Sequence, residues 1–212
     1  MINWTRVTRP LAAVLLCGAV TVSLQGCIEM AVGSAVMGTL AATDRRTFGA
    51  QTEDKAILLK GERRIANIVG EDGHVNITSF NRKVLLTGEV RDEATKAAVE
   101  REVNAIEGVE SIINDLEVMG SSSFTSRSND SLITGKVKAA FVDTKDLYAN
   151  SIKVVTERGN VYLMGRVTPR EGRLASEVAS GIGGVHKVVK VFEYITEDEL
   201  RQMTAQPENQ KK

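Results

Sequence analysis

The apolar positions between residues 51 and 119 change their spacing in a regular order. The first stretch places apolar residues on one helical face at 100° per residue, and that face holds Ile57, Leu58, Gly61, Ile65, Ile68 and Val69. Two apolar-rich runs follow, 75–80 and 83–90, joined through Asn81-Arg82, and they predict a β-hairpin. Val99, Val103 and Ile106 then recur at i, i+4, i+7, ahead of a last strand at 109–118. The pattern predicts the order αββαβ.

The same order returns in the second half of the chain. The run 84–90, Val-Leu-Leu-Thr-Gly-Glu-Val, matches 161–167, Val-Tyr-Leu-Met-Gly-Arg-Val, at an offset of 77 residues. Gly108-Val109 matches Gly184-Val185 at an offset of 76, and the polar stretch from Ser121 to Asn129 lies between the copies. Upstream, 75–78 (Val-Asn-Ile-Thr) matches 152–155 (Ile-Lys-Val-Val), again at an offset of 77. Three matching blocks in one order indicate an internal repeat. We expect Gly108 and Gly184 to act as C-cap glycines of the helices before them.

These patterns predict an α+β chain with two tandem αββαβ domains. Each would hold a three-stranded mixed sheet covered by two helices. We place the first domain at 51–119, a linker at 120–129 and the second domain at 130–195, and we expect 196–212 to be a disordered tail. The continuously apolar run 161–164 indicates a strand buried on both faces, or one whose outer face meets a partner.

The N-terminus has the pattern of a lipoprotein signal peptide. Arg6 and Arg9 precede an apolar segment, 11–24, that is too short to span a membrane comfortably. It ends in Leu24-Gln25-Gly26-Cys27, which predicts removal of residues 1–26 and acylation of Cys27; a plain secretory signal is the alternative. Ile28, rather than Asp, favours the outer membrane. Residues 27–50 would be the lipidated Cys and a tether, or a small-residue helix against the membrane.

Composition narrows the class of protein. The 212 residues carry 27 Lys+Arg and 27 Asp+Glu, with 42% hydrophobic and 4% aromatic residues. This balance excludes a disordered polyelectrolyte and a multi-pass membrane protein, and it argues against nucleic-acid binding, which needs a basic excess. After cleavage the only Cys would be the acylated one, so packed cores rather than disulfides must supply stability.

Short strings in both copies resemble a known family. Leu86-Thr87-Gly88 and Leu163-Met164-Gly165, with the Gly-Val before each last strand, are similar to the BON domain, an αββαβ module of bacterial envelope proteins. Two such domains behind a lipobox resemble the DolP (YraP) family of outer-membrane lipoproteins. The resemblance implies a periplasm-facing outer-membrane anchor, binding of anionic phospholipid by the second BON domain, and a role in envelope integrity and at division sites.

The first helix of the second copy, 131–142, is where we expect lipid binding. Ile133, Val137, Ala140 and Phe141 form its core face, and Leu132 points away from that face. Gly135, Lys136 and Ala139 lie near Leu132, so the apolar side chain could enter the acyl boundary while lysines meet headgroups. The candidate phospholipid-binding residues are Leu132, Ile133, Gly135, Lys136 and Ala139. Alternatively, Leu132 packs under the linker or against the first copy. The DolP family places Trp at this position. The first copy's helix shows no comparable second apolar face.

Nothing in the sequence indicates catalysis. His74 and His186 lack a Cys, Asp or Glu at metal-ligand spacing along the chain, and the acidic residues lack a partner His or a nucleophile motif. We therefore expect no enzyme activity, no cofactor and no metal site. The expected partner is an anionic phospholipid membrane. The alternative function is a protein-interaction or chaperone-like scaffold for envelope or outer-membrane assembly proteins, using edge strands or the sheet face that carries Tyr162.

Overall fold

Two segments of the chain each fold into a three-stranded sheet with two helices packed on one face. The computed structural model describes residues 44–70 and 73–205. In the first domain the order is α1 (Phe48–Val69), β1 (His74–Phe80), β2 (Lys83–Val90), α2 (Glu93–Asn104) and β3 (Ser111–Val118). The second contains α3 (Phe124–Asp143), a 3₁₀ turn (Ala149–Ser151), β4 (Ile152–Glu157), β5 (Asn160–Val167), α4 (Pro169–Ser180) and β6 (Lys187–Tyr194), followed by α5 (Glu197–Ala205).

Both sheets have the same topology. The central strand, β2 or β5, pairs antiparallel with the strand before it and parallel with the strand after it. The helix between the central strand and the parallel strand provides the crossover that a parallel pair requires. The predicted α+β class, with two mixed three-stranded sheets, is confirmed.

Side chains along each central strand point alternately to the two faces of its sheet, and the two faces contribute to different buried clusters. Val84, Leu86 and Val90 face the helices of the first domain, and Val161, Leu163 and Val167 do the same in the second. The residues between them point to the opposite face of each sheet, because successive strand side chains alternate. The two helix-facing clusters are separate cores, one in each domain.

The opposite faces of the two sheets pack against each other. Phe80 and Leu85 from the first sheet form one buried cluster with Tyr162, Met164 and Val191 from the second. The apolar run 161–164 is therefore covered on both sides, by its own helices and by the first domain. The sequence left open what covers the outer face, and the structure identifies it as the sister domain.

The glycine in each Leu-x-Gly string allows two strands to approach closely. Gly88 has a φ of +113°, and a Cβ there would lie 2.0 Å from the carbonyl oxygen of His74 on β1. At Gly165 a Cβ would lie 2.5 Å from the carbonyl oxygen of Ser151. No side chain fits at either distance, so the repeated glycine follows from strand pairing.

Each hairpin turn contains two successive residues of positive φ. The angles are 49° at Asn81 and 63° at Arg82, and 51° at Arg158 and 75° at Gly159. This is the backbone of the tight turns that match strand twist. Two of the four residues are arginines, which rarely adopt this conformation, so another interaction must hold the turn.

A buried aspartate on the first helix stabilises the first of these turns. The Asp54 carboxylate accepts hydrogen bonds from the backbone N–H groups of Asn81 and Arg82, at 2.7 and 2.9 Å, and from the Ser79 hydroxyl. Arg46 also donates to it, at 2.8 Å. Burial alone would raise the pKa of Asp54, but these hydrogen bonds together lower it. The helix and the hairpin are thereby tied together.

The segment before α1 contacts both domains. Arg45 forms a two-pronged ion pair with Glu171 of α4, with both distances 2.7 Å, and its guanidinium is nearly buried. The next residue, Arg46, pairs with Asp54 of the first domain and lies over the Phe80 ring, 4.3 Å from its centroid. The last residues of the expected tether are thus part of the folded unit.

Element boundaries differ from the sequence-based expectation at several places. Helix α3 begins at Phe124, inside the expected linker, and α5 occupies 197–205 of the expected tail. Gly108 and Gly184 do have positive φ, but they lie in loops, because α2 ends at Asn104 and α4 at Ser180. The expected signal peptide, Cys27 and residues 28–43 of the expected tether lie outside the described residues, as does 206–212.

Candidate lipid-contact face

Helix α3 begins with a serine cap and buries one side in the second domain. The Ser123 hydroxyl accepts from the Ser126 N–H at 3.2 Å, which stabilises the first turn. Ile133, Val137 and Phe141 are buried at 1% exposure or less. Ile133 therefore belongs to the core, and its assignment as a lipid contact is wrong for this structure: it lies at the centre of the face that packs on the sheet.

Asp130 sets the rotation of α3 about its own axis. Its carboxylate accepts from the backbone N–H groups of Arg158 and Gly159, at 2.9 and 2.8 Å, as Asp54 does in the first domain. One turn further along, the Thr134 hydroxyl donates to the Thr156 hydroxyl at 2.7 Å. Because these contacts fix the buried side of α3, they also fix which residues face outward.

The outward side of α3 exposes three large apolar residues in a row. Phe124 is 79% exposed, Leu132 63% and Val142 72%. At 100° per residue, these three lie on the side opposite Ile133 and Val137. Large apolar side chains that share one exposed face are uncommon on a monomeric protein and indicate a contact surface. We call this surface the α3 face.

The remaining sequence-based candidates lie on the same face. Gly135, Lys136 and Ala139 are all exposed, so the structure brings Leu132 together with three of its four proposed companions. The sequence analysis does not include Phe124 and Val142 among the candidates. Phe124 stands eight residues before Leu132, which is a helical spacing, but the serines around it are typical of a linker.

Basic residues and open space flank the α3 face. At its N-terminal end a shallow groove of about 750 Å³ is lined by Phe124, Arg127 and Leu132, with two serines. At its C-terminal end Val142 and Lys138 border a cavity of about 330 Å³, which also holds Lys153. Burial lowers the pKa of Lys153, and the nearby Arg46 lowers it further. Apolar side chains between cations suit a surface that carries acyl chains and anionic headgroups.

The equivalent helix of the first domain has a weaker face of this kind. Phe48 is 85% exposed and Leu59 56%, so α1 exposes two large apolar residues where the sequence predicted no second apolar face. Arg63 stands at the position that corresponds to Ala139, by the 76-residue offset. A charge therefore interrupts the face on α1, whereas on α3 the apolar and small residues are continuous.

No helix in the described part of the chain is both long and apolar enough to cross a bilayer.

Comparisons with known proteins place the chain in a family. The BON domain model matches residues 50–120 and 129–196. A protein named outer membrane lipoprotein DolP, from Haemophilus influenzae, is 39% identical over 185 residues, which cover 85% of this chain and 94% of that one. The chain belongs to the dual-BON DolP family. The family similarity supports an outer-membrane lipoprotein with BON domains.

Two other similarities are more distant. A 21 kDa hemolysin from Actinobacillus pleuropneumoniae is 30% identical over 158 residues, covering 72% of this chain and 79% of that protein. CdsD, a structural protein of the type III secretion system of Chlamydia trachomatis, gives a TM-score of 0.28 at 13% identity, covering 68% of this chain and 97% of that structure. Neither of these two relatives, DolP and the hemolysin, is named as an enzyme.

Proposed function

We propose that this DolP-family protein is held at the outer membrane by an acyl group on Cys27, faces the periplasm, and binds anionic phospholipid through the α3 face. The observation that carries the proposal is the row of exposed Phe124, Leu132 and Val142 between basic residues. Each apolar side chain that enters the acyl boundary contributes about 1.5–3 kcal/mol at most, and each lysine near an anionic surface about 1 kcal/mol. Together they give a reversible contact that adds to the anchor. A role in envelope integrity and at division sites would follow from such a contact.

The position at which the chain enters the folded unit supports a contact between the α3 face and the membrane. Asp44, the first described residue, borders the same cavity as Lys138 and Val142. The polypeptide that leads from Cys27 therefore enters the folded unit beside the C-terminal end of the α3 face. An acyl group on Cys27, 17 residues before Asp44, would keep the folded unit within reach of the membrane, which raises the effective concentration of the α3 face at the lipid surface.

Co-sedimentation of residues 28–212 with phospholipid vesicles tests the proposal. We expect binding to anionic vesicles, weak binding to zwitterionic ones, and a loss of binding as salt rises. Leu132→Glu should abolish the anionic binding, because a carboxylate replaces the apolar contact at its centre. The matched control is Leu59→Glu on α1, a leucine of similar exposure that should leave binding unchanged.

Three results would contradict the proposal. Equal and weak sedimentation with both vesicle types would leave the acyl group as the only membrane contact. Full binding by a folded Leu132→Glu variant, or loss of binding by Leu59→Glu instead, would move the contact away from α3. The Leu132 side chain is 63% exposed, so its substitution should not unfold the protein.

The alternative function loses one of its proposed surfaces. A scaffold that binds clients through the sheet face of Tyr162 would need that face to be open, yet Tyr162 is 2% exposed and packs on the first domain. Its hydroxyl also donates to Asp115 of the first domain at 2.6 Å. Protein partners would instead have to use edge strands or the α3 face. Capture of an envelope assembly protein that persists in Leu132→Glu would favour that reading.

A further inference from the structure

Three side chains that can bind a metal converge at one edge of the domain interface. They are His74 on β1, Glu89 on β2 and Glu157 at the end of β4, and one ligand atom from each lies within 4.8 Å of the others. His74 stands directly opposite Glu89 in the antiparallel β1–β2 pair, so the two side chains share a face of the sheet. Glu157 comes from the other domain. The cluster therefore spans the junction between the domains.

Two polar atoms in this cluster have no hydrogen-bond partner among the residues that the structure describes. Glu89 is fully buried, yet its Oε1 atom accepts no hydrogen bond, and neither does Nδ1 of His74. The other carboxylate oxygen of Glu89 accepts from the Ser122 N–H at 3.1 Å, and the Arg158 guanidinium stands 3.8 Å from Oε1, beyond hydrogen-bonding distance. A buried carboxylate so poorly paired is costly, so a compensating group is expected there.

One imidazole and two carboxylates supply the ligand atoms of the cluster. Glu157 accepts a hydrogen bond from Asn76 at 2.7 Å, and the Arg158 guanidinium stands 3.8 Å from Glu89. These contacts leave lone pairs free on both carboxylates, and Nδ1 of His74 has no hydrogen-bond partner among the described residues. Imidazole nitrogen and carboxylate oxygen are both donors that divalent metals accept.

We propose that His74, Glu89 and Glu157 form a divalent-metal site, of the kind that takes Zn²⁺, which joins the two domains. Zinc bonds of about 2.0–2.2 Å in tetrahedral geometry separate ligand atoms by about 3.4 Å. Nδ1 of His74 and Oε2 of Glu89 are already 3.8 Å apart, so small side-chain rotations bring the set together. One imidazole with two carboxylates suits Zn²⁺ better than Mg²⁺ or Ca²⁺, which prefer oxygen ligands alone.

An access route reaches the site from solvent. His74 and Glu157 line a cavity of about 250 Å³ between the domains, together with Asn76, Arg127 and residues of α3 and β4. Its volume admits water molecules, one of which could fill the fourth position of a tetrahedral ion. Because the ligands come from both domains, a bound ion would strengthen the interface, and the gain would depend on its concentration.

Titration of residues 28–212 with ZnCl₂ tests the site. This chain includes the whole compact unit that begins at Asp44 and excludes both cysteines, which would otherwise bind zinc. After treatment with a chelator, calorimetry should give one Zn²⁺ per chain, and saturating Zn²⁺ should raise the melting temperature. MgCl₂ and CaCl₂ at equal concentration should leave the melting temperature unchanged.

Single substitutions separate this site from general zinc binding. Glu89→Gln, Glu157→Gln and His74→Gln should each weaken Zn²⁺ binding by at least about tenfold. Glu89→Gln keeps the size of the side chain and an oxygen that can accept the hydrogen bond from the Ser122 N–H, so the metal-free variant should stay folded. His186→Gln is the matched control, because it alters the only other histidine and leaves the cluster intact.

Each outcome decides the proposal. The proposal is supported if the wild type binds one Zn²⁺, the three cluster variants lose that binding, and His186→Gln keeps it. It is overturned if the metal-free protein takes up no Zn²⁺, if His186→Gln removes the binding, or if the folded Glu89→Gln variant binds as tightly as the wild type. None of these results depends on vesicle binding, so the site and the α3 face are tested separately.

Discussion

Leu85 and Leu86 are neighbours on β2 that test whether the two sheets pack together in solution. Both side chains are fully buried, but Leu86 lies in the core of the first domain and Leu85 in the cluster shared with the second. Replacing either by Ala removes about three carbons and leaves a cavity, which costs about 2–5 kcal/mol in a packed core. We expect both variants to lose free energy of unfolding within that range, measured by urea denaturation of residues 28–212.

A double-mutant cycle with Met164 distinguishes the two leucines. Met164 of β5 is fully buried in the same cluster as Leu85. The effects of Leu85→Ala and Met164→Ala should therefore be non-additive, with a coupling of about 0.5–3 kcal/mol, whereas Leu86→Ala and Met164→Ala should add within about 0.5 kcal/mol. If Leu85→Ala costs less than about 1 kcal/mol while Leu86→Ala costs about 2 kcal/mol or more, then Leu85 is solvated and the two sheets do not pack together in solution.

Three further predictions concern single sites. Gly88→Ala should cost several kcal/mol or prevent folding, because its Cβ would meet the His74 carbonyl oxygen. Gly135→Ala on the exposed side of α3, where a Cβ has nothing within 4 Å, should instead stabilise the protein by up to about 1 kcal/mol, and thermal melts of both variants check this. Arg45→Ala leaves the Glu171 carboxylate buried without its partner and should lower the free energy of unfolding by about 3–5 kcal/mol in urea; a loss below 1 kcal/mol would mean that the segment before α1 does not dock. Burial opposes ionisation of Glu171, but the hydrogen bond from Arg45, with other contacts, lowers the pKa of Glu171 in the folded protein. The ionised carboxylate therefore stabilises the fold at pH values above its ordinary pKa of 4.5, and this stabilisation is lost as pH falls through the folded pKa. Glu171→Gln should flatten that part of a plot of stability against pH.

Much of the fold follows from local patterns in the sequence. The change from helical to strand spacing and the repeated Leu-x-Gly strings predicted both αββαβ units and their mixed sheets. These signals are local: a strand's alternation and a helix's period depend on residues within about ten positions. The positive φ of Gly88 and its contact with a neighbouring backbone explain why the glycine recurs.

Part of the candidate lipid-contact face was also predictable. Leu132 stood out because it lies off the core side of an amphipathic helix, and the structure leaves it exposed. The start of that helix was not predictable in the same way. Ser123 caps it, but serine is common in linkers as well as at helix starts, so Phe124 was assigned to the linker.

The pairing of distant groups was decided only by the tertiary structure. His74 and Glu89 are fifteen positions apart in the sequence yet directly opposite in the sheet, and Glu157 reaches them from another domain. The apolar run 161–164 showed by itself that two faces would be buried, since its residues are apolar on both sides. It could not show which surface covers the outer face, because apolar burial is non-directional and specifies no partner. That choice rests on the shapes of two folded sheets, and no short stretch of sequence contains them.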